Sequence, residues 1–171
     1  SLIWQTPTQS SDIYENAFSL KMSDLVIAGE DLIFSNNKNE FYSISLLNGV
    51  LNWKQNINSS VRPVIVKNLI FTVSNEGYLF TLDKNTGNII KITDIFDNFK
   101  SKKRRKIYPI GFLVGENEIL LTTSNGKLLI INSRSGKTVS TLKIDNDKIS
   151  RPFIFDMKIL LVKDNAIIRL N

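Results

Sequence analysis

Three glycines, Gly49, Gly87 and Gly136, close three copies of one pattern and constrain this chain more than any other feature. The copies run from Asp31-Leu-Ile-Phe to Gly49, from Asn68-Leu-Ile-Phe to Gly87, and from Glu118-Ile-Leu-Leu to Gly136. The glycines are 38 and 49 residues apart, and an insertion ahead of the third copy accounts for the longer interval. A fourth copy begins at Lys158-Ile-Leu-Leu and stops at Asn171, where the others make their glycine turn. Repetition at such a period means that one small supersecondary unit is stacked on itself.

Each unit reads as four short strands. A first strand such as Val61 to Val66, or Arg151 to Phe155, leads through a turn into an apolar strand such as Leu69 to Val73. A second turn, Ser74-Asn-Glu-Gly77 or Ser124-Asn-Gly126, leads into an alternating strand such as Tyr78 to Asp83. The glycine turn and a last strand such as Asn88 to Ile92 complete the unit. Runs of this length between Asn- and Gly-containing turns are strand-like, and no segment sustains a helical period. The 23 Ile and 10 Phe against 3 Ala point the same way, because β-branched and aromatic side chains suit pleated sheets. The expected fold is all-β: a β-propeller of four-stranded antiparallel blades, with about four present. The blades are placed at 20–57, 58–95, 107–144 and, incomplete, 151–171, all within one domain. Ser1-Leu-Ile-Trp4-Gln5 aligns with Val50-Leu-Asn-Trp53-Lys54, so residues 1–5 are expected as an orphan outer strand. That strand could close a ring of four, or the chain could be half of a larger ring with exposed edges.

The chain has no Cys and no His, which excludes thiol nucleophiles, disulfides, imidazole bases and Cys/His metal sites. Asp83, Asp94, Asp97, Asp145 and Asp147 fall in turns, where they are read as caps or solvated groups. Ser59 and Ser60 have no imidazole partner, and the single glycines form no phosphate loop. No run of eighteen apolar residues is present, and the chain opens without a Met or a charged leader, so any targeting segment is expected to have been removed. Catalysis and a cofactor are therefore not expected.

The net charge of +6 comes from one place. Lys100, Lys102, Lys103, Arg104, Arg105 and Lys106 are six of the 22 basic residues, and the remainder balance the 16 acids. A nucleic-acid binder would spread such charge over a face with aromatic platforms, so nucleic acid is not expected as a partner. The run is read as a solvated loop, with docking to an acidic protein or an anionic membrane surface as the functional alternative.

The stretch Thr81-Leu-Asp83-Lys-Asn-Thr86-Gly87, with Gly49-Val-Leu-Asn-Trp53, resembles the repeat of PQQ-type propellers, Ala-x-Asp-x-x-Thr-Gly-x-x-x-Trp. Asp83 and Thr86 would cap the turn at Gly87, and Trp53 would wedge between blades, a place taken by Lys91 and Ser140 in later copies. Within that superfamily the chain is similar to the C-terminal half of the BamB family, non-catalytic lipoproteins of outer-membrane assembly in Gram-negative bacteria. The last segment, Arg151 to Asn171, and the copy from Ile107-Tyr-Pro109 to Gly136 carry this likeness.

The resemblance implies four blades of an eight-bladed ring on the periplasmic side of the outer membrane. A lipid anchor absent from this chain would hold it there, with BamA as partner through its POTRA domains. Partner contacts in the family lie in loops leading into middle blades, which here correspond to 6–24 with Tyr14, Phe18, Lys21 and Met22. The family's acidic residues at the end of that loop are replaced by Leu20-Lys21-Met22-Ser23. Those four residues, with Lys102, Lys103, Arg104 and Arg105, are the candidate partner contacts. A homodimer of half-rings, a quinoprotein dehydrogenase fragment and a WD-repeat-like binding propeller are the other readings. The WD reading lacks the Gly-His and Trp-Asp pairs of that repeat.

Overall fold

In a computed structural model, the chain is described at residues 1–6, 22–36, 38–164 and 166–170. Among the described residues, fifteen strands form four antiparallel sheets, each a meander in chain order. The first holds β1 (Val26–Ala28), β2 (Asp31–Asn36), β3 (Glu40–Ser45) and β4 (Leu51–Gln55). The second holds β5 (Val64–Val66), β6 (Leu69–Val73), β7 (Tyr78–Asp83) and β8 (Ile89–Asp94). A one-turn helix, α1 (Ser101–Arg104), precedes the third, of β9 (Pro109–Val114), β10 (Glu118–Thr123), β11 (Lys127–Asn132) and β12 (Thr138–Lys143). The last has three strands, β13 (Phe153–Phe155), β14 (Lys158–Lys163) and β15 (Ala166–Leu170).

The sequence expectation of an all-β partial propeller with about four blades holds. Two details differ. The innermost strands β5 and β13 are shorter than expected, because Pro63 and Pro152 have no N–H to give a ladder. Residues 1–5, expected as an outer strand, belong to no sheet, since a strand needs an inner neighbour and no described strand pairs with them.

The core lies between sheets. Ile33, Phe41 and Trp53 of the first sheet meet Ile70 and Leu82 of the second, with Ile57 from their connection. Val61, Phe71, Val73 and Leu79 meet Phe112, Ile119, Leu121, Leu129 and Ile131 at the next seam. Removing this apolar surface from water is what stacks the sheets, at about 25 cal/mol per Å² buried.

Because strands alternate in direction, turns fall on two rims. The outer-to-inner connections share one rim with the turns between second and third strands, as in Asn75 N–H donating to Asn58 O at 2.8 Å. The glycine turns share the other with the turns after first strands, as in Lys84 N–H donating to Asn68 O at 2.9 Å.

Candidate functional site

The seams come first, because they fix everything the rims display. Trp53 of β4 donates its indole N–H to Lys84 O at 2.9 Å, and Gln55 Nε2 donates to Gly87 O at 2.9 Å. Gly87 sits at φ +70°, and a Cβ there would lie 2.5 Å from the Trp53 ring, so the turn needs glycine for both conformation and space. Asp83 Oδ1 accepts from the N–H of Asn85 at 3.0 Å and of Thr86 at 2.9 Å, and from Thr86 Oγ1 at 3.0 Å. These bonds, from Thr86 above all, hold the half-buried Asp83 carboxyl below the usual range.

The same latch recurs on both sides. Trp4 donates its indole N–H to Leu46 O at 3.0 Å, and Thr6 Oγ1 donates to Gly49 O at 2.5 Å. At the third turn, Lys91 Nζ donates to Arg134 O at 2.8 Å, and a Cβ on Gly136 would meet Thr93 Oγ1 at 2.5 Å. Lysine thus keeps the donor of the missing indole but not its apolar body.

On the connection rim, the basic run is mounted on this framework. Ile95, Phe96 and Ile107 of the insertion are buried in the seam between the second and third sheets, with Phe99 packed against them. Phe96 and Phe99 meet edge to face at 5.3 Å. Arg104 faces inward. Its guanidinium donates to Asp94 Oδ2 at 2.6 Å and to Glu76 O at 3.2 Å, and stacks 5.2 Å from the Tyr78 ring centre. The Asp94 carboxylate pushes the Arg104 pKa up. Lys100, Lys102, Lys103, Arg105 and Lys106 are exposed. The run is therefore an anchored knuckle of five presented cations around one structural arginine, a division of labour the sequence does not reveal.

Of the other predicted contacts, Tyr14, Phe18 and Lys21 lie outside the described residues. Met22, 40% exposed, bridges to Asn36 on the connection rim. It also lines a channel of about 740 Å³ around which the innermost strands of all four sheets gather. Across this channel Arg151 Nη1 pairs with Asp24 Oδ2 at 3.2 Å. Among the described residues no three Asp or Glu side chains stand close enough together to hold a metal ion.

Sequence reasoning missed a polar cluster on the first sheet. The nearly buried Glu40 accepts from Lys54 Nζ at 2.7 Å and from Asn36 Nδ2 at 2.8 Å. Burial pushes its pKa up, but hydrogen bonds from Lys54, Asn36 and Tyr42 outweigh that and leave it below the usual value. Burial and then Glu40 push the Tyr42 hydroxyl up, so it stays a donor. The available signal was the cross-strand pairing of Lys54 with Tyr42, two residues from Glu40.

The sequence profile of the family described as outer membrane protein assembly factor BamB matches residues 1–93, more than half of the chain. The chain belongs to the BamB family. Its fold is similar to the crystal structure of BamB from Moraxella catarrhalis, with TM-score 0.68 and 10% identity over 86% of this chain. This chain spans 41% of that BamB's length. The computationally designed Ika4 protein is similar over 92% of this chain and 93% of its own, with TM-score 0.67 and 8% identity. The propeller domain of Myceliophteria thermophila Cps50 (Swd1) is similar with TM-score 0.65 and 13% identity, over 82% of this chain and 48% of that one. At these identities the likenesses establish the fold alone. No curated protein matches the chain significantly in sequence. The matched region of the BamB family profile takes in the Trp4 and Trp53 latches.

Proposed function

We propose that this chain is a non-catalytic protein-interaction scaffold in the machinery that assembles outer-membrane β-barrels, working on the periplasmic side of that membrane. Membership of the BamB family over residues 1–93 carries the reading. Its partner is BamA, bound through the periplasmic POTRA domains. The connection rim supports this physically, since a rigid propeller presents side chains on loops whose positions the seams hold fixed. Met22 and the knuckle of Lys102, Lys103 and Arg105 share that rim, while Arg104 holds the knuckle in place.

The test is a titration of purified POTRA domains from the same organism, with Lys102→Gln/Lys103→Gln/Arg105→Gln as the variant. Saturable binding is expected, weakened about ten-fold in the variant and with a shallower salt dependence, since rim charges act mainly through screened attraction. No binding by the unaltered chain would sink the scaffold reading. Equal affinity of chain and variant would remove only the knuckle from it.

A further inference from the structure

Three sheets each bring one charged side chain to the same end of the central channel. Asp24, Arg62 and Arg151 stand two residues ahead of the innermost strands β1, β5 and β13. All three line the channel, and they are the only charged side chains among its described lining residues. The third sheet contributes Gly111 instead. A Cβ built there would lie 2.5 Å from Arg151 Cβ, so the missing side chain is what admits Arg151. Stacking 5.2 Å from the Phe153 ring centre and the pair with Asp24 hold Arg151 further. Arg62 differs: it is exposed, and no hydrogen bond or ion pair joins its guanidinium to any described residue. With Asp24 and Arg151 cancelling, Arg62 leaves the channel wall one positive charge in surplus.

The rest of the wall is largely apolar. Ile65 and Ile110 on it are half-buried, while Ile27 and Ile154 are 65% and 60% exposed. A cleft of about 740 Å³ with an apolar lining and a few polar groups has the size and character of a ligand site. Its low-dielectric walls strengthen the field of a charge at the opening. Strand addition is a poor fit here. Pro63 and Pro152 stand directly ahead of β5 and β13, and Pro109 opens β9, so three of the four inner edges lack an N–H at their start. Recognition therefore falls to side chains.

We infer that the channel is a binding site for a carboxylate carried on an apolar stem, with Arg62 receiving the carboxylate and the isoleucines the stem. A guanidinium presents a planar fork that matches a carboxylate through two parallel hydrogen bonds. Arg151 adds a second positive centre, and Asp24, the one anion on the wall, opposes the ligand and limits its affinity. Two sources carry this chemistry: a free organic acid, and a glutamate side chain with apolar neighbours on a peptide. The site stands whether or not BamA is the partner.

The test follows backbone amides of β1, β5 and β13 by NMR while the chain is titrated with two pairs of probes. One pair is octanoate and its neutral counterpart octanamide. The other is acetyl-Leu-Glu-Leu amide and the same peptide with Gln in place of Glu. Saturable shifts centred on the innermost strands are expected for at least one acid, with affinity about ten-fold above that of its neutral counterpart. Arg62→Gln should remove that preference. Lys102→Gln, an equal loss of charge on the knuckle, should change the affinity less than about two-fold. Asp24→Asn should tighten binding about three-fold by removing the opposing charge. Because Arg62 is exposed, Arg62→Gln should melt within about 2 °C of the unaltered chain, which separates a lost site from a lost fold. Binding of octanoate alone would support a free acid as the ligand, and binding of the glutamate peptide alone a presented side chain. Failure of both acids to bind, equal binding of acid and neutral probes, or equal losses from Arg62→Gln and Lys102→Gln would overturn the proposal.

Discussion

The seam between the first two sheets and the last sheet are built from the same repeat, yet they differ in how much they bury. At the seam, Phe41, Ile70 and Leu82 are fully enclosed, and Trp53 is 8% exposed. In the last sheet Phe153, Ile154 and Phe155 are all exposed, and Leu161 is the one fully buried apolar side chain of β14. Strand sequence makes a sheet; a neighbour on each face makes it a core. A blade alone has one face too many, which is why its stability resides at seams and not within sheets.

Substitutions sharpen that comparison. Trp53→Ala removes a seam residue together with its bond to Lys84 O and should cost about 3–5 kcal/mol in urea denaturation. Phe155→Ala, on a side chain 74% exposed, should stay within about 0.5 kcal/mol. Comparable losses would mean that the last sheet is as well packed as the seam.

Next come two glycines with nearly equal φ. Gly29, at +71°, has nothing within 4 Å of a built Cβ, so Gly29→Ala should cost only the left-handed strain of about 1 kcal/mol. Gly87, at +70°, adds the collision with Trp53, so Gly87→Ala should cost about 2 kcal/mol or more. If Trp53→Ala does not bring the two glycine costs together, the seam is not the cause.

Within the basic run, Arg104→Ala should cost about 1 kcal/mol, reduced from a buried pair's value because both partners are partly exposed. Lys102→Ala and Lys103→Ala should be silent within about 0.5 kcal/mol. Equal effects would erase the distinction between anchor and presented cations.

The smallest effect is a pH dependence. Glu40 has a folded pKa below its ordinary 4.5, so its ionised form is favoured by folding. Its contribution is complete above that value and is lost as pH falls through the lowered folded one. Glu40→Gln should therefore flatten the acid limb of a stability profile below pH 4.5 and leave the neutral region nearly parallel to the unaltered chain. An unchanged acid limb would assign it to other carboxylates.

The repeat made the fold legible. Period-two alternation, Asn- and Gly-bearing turns and the Gly49 to Trp53 spacing are local, and local patterns survive in a linear string. The knuckle was legible as charge but not as structure. Nothing in Lys-Lys-Arg-Arg says which arginine turns inward, because Asp94, Glu76 and Tyr78 lie 10 to 28 positions away and meet Arg104 only once the second sheet has formed. The Glu40 cluster was hidden for the same reason: Glu40 and Lys54 are fourteen residues apart and join across a hairpin.

By itself the sequence determined the strands, their turns, the repeat that stacks them and the absence of thiol and imidazole chemistry. These depend on residue type and spacing along a few positions, which folding does not alter. Only the tertiary structure decided which side chains are latched, which cation is structural, and that Trp4 and Thr6 hold the Gly49 turn as Trp53 and Gln55 hold the Gly87 turn. Those outcomes depend on which surfaces find a neighbour, and a neighbour is a property of packing between sheets, where distance in space bears no fixed relation to distance along the chain.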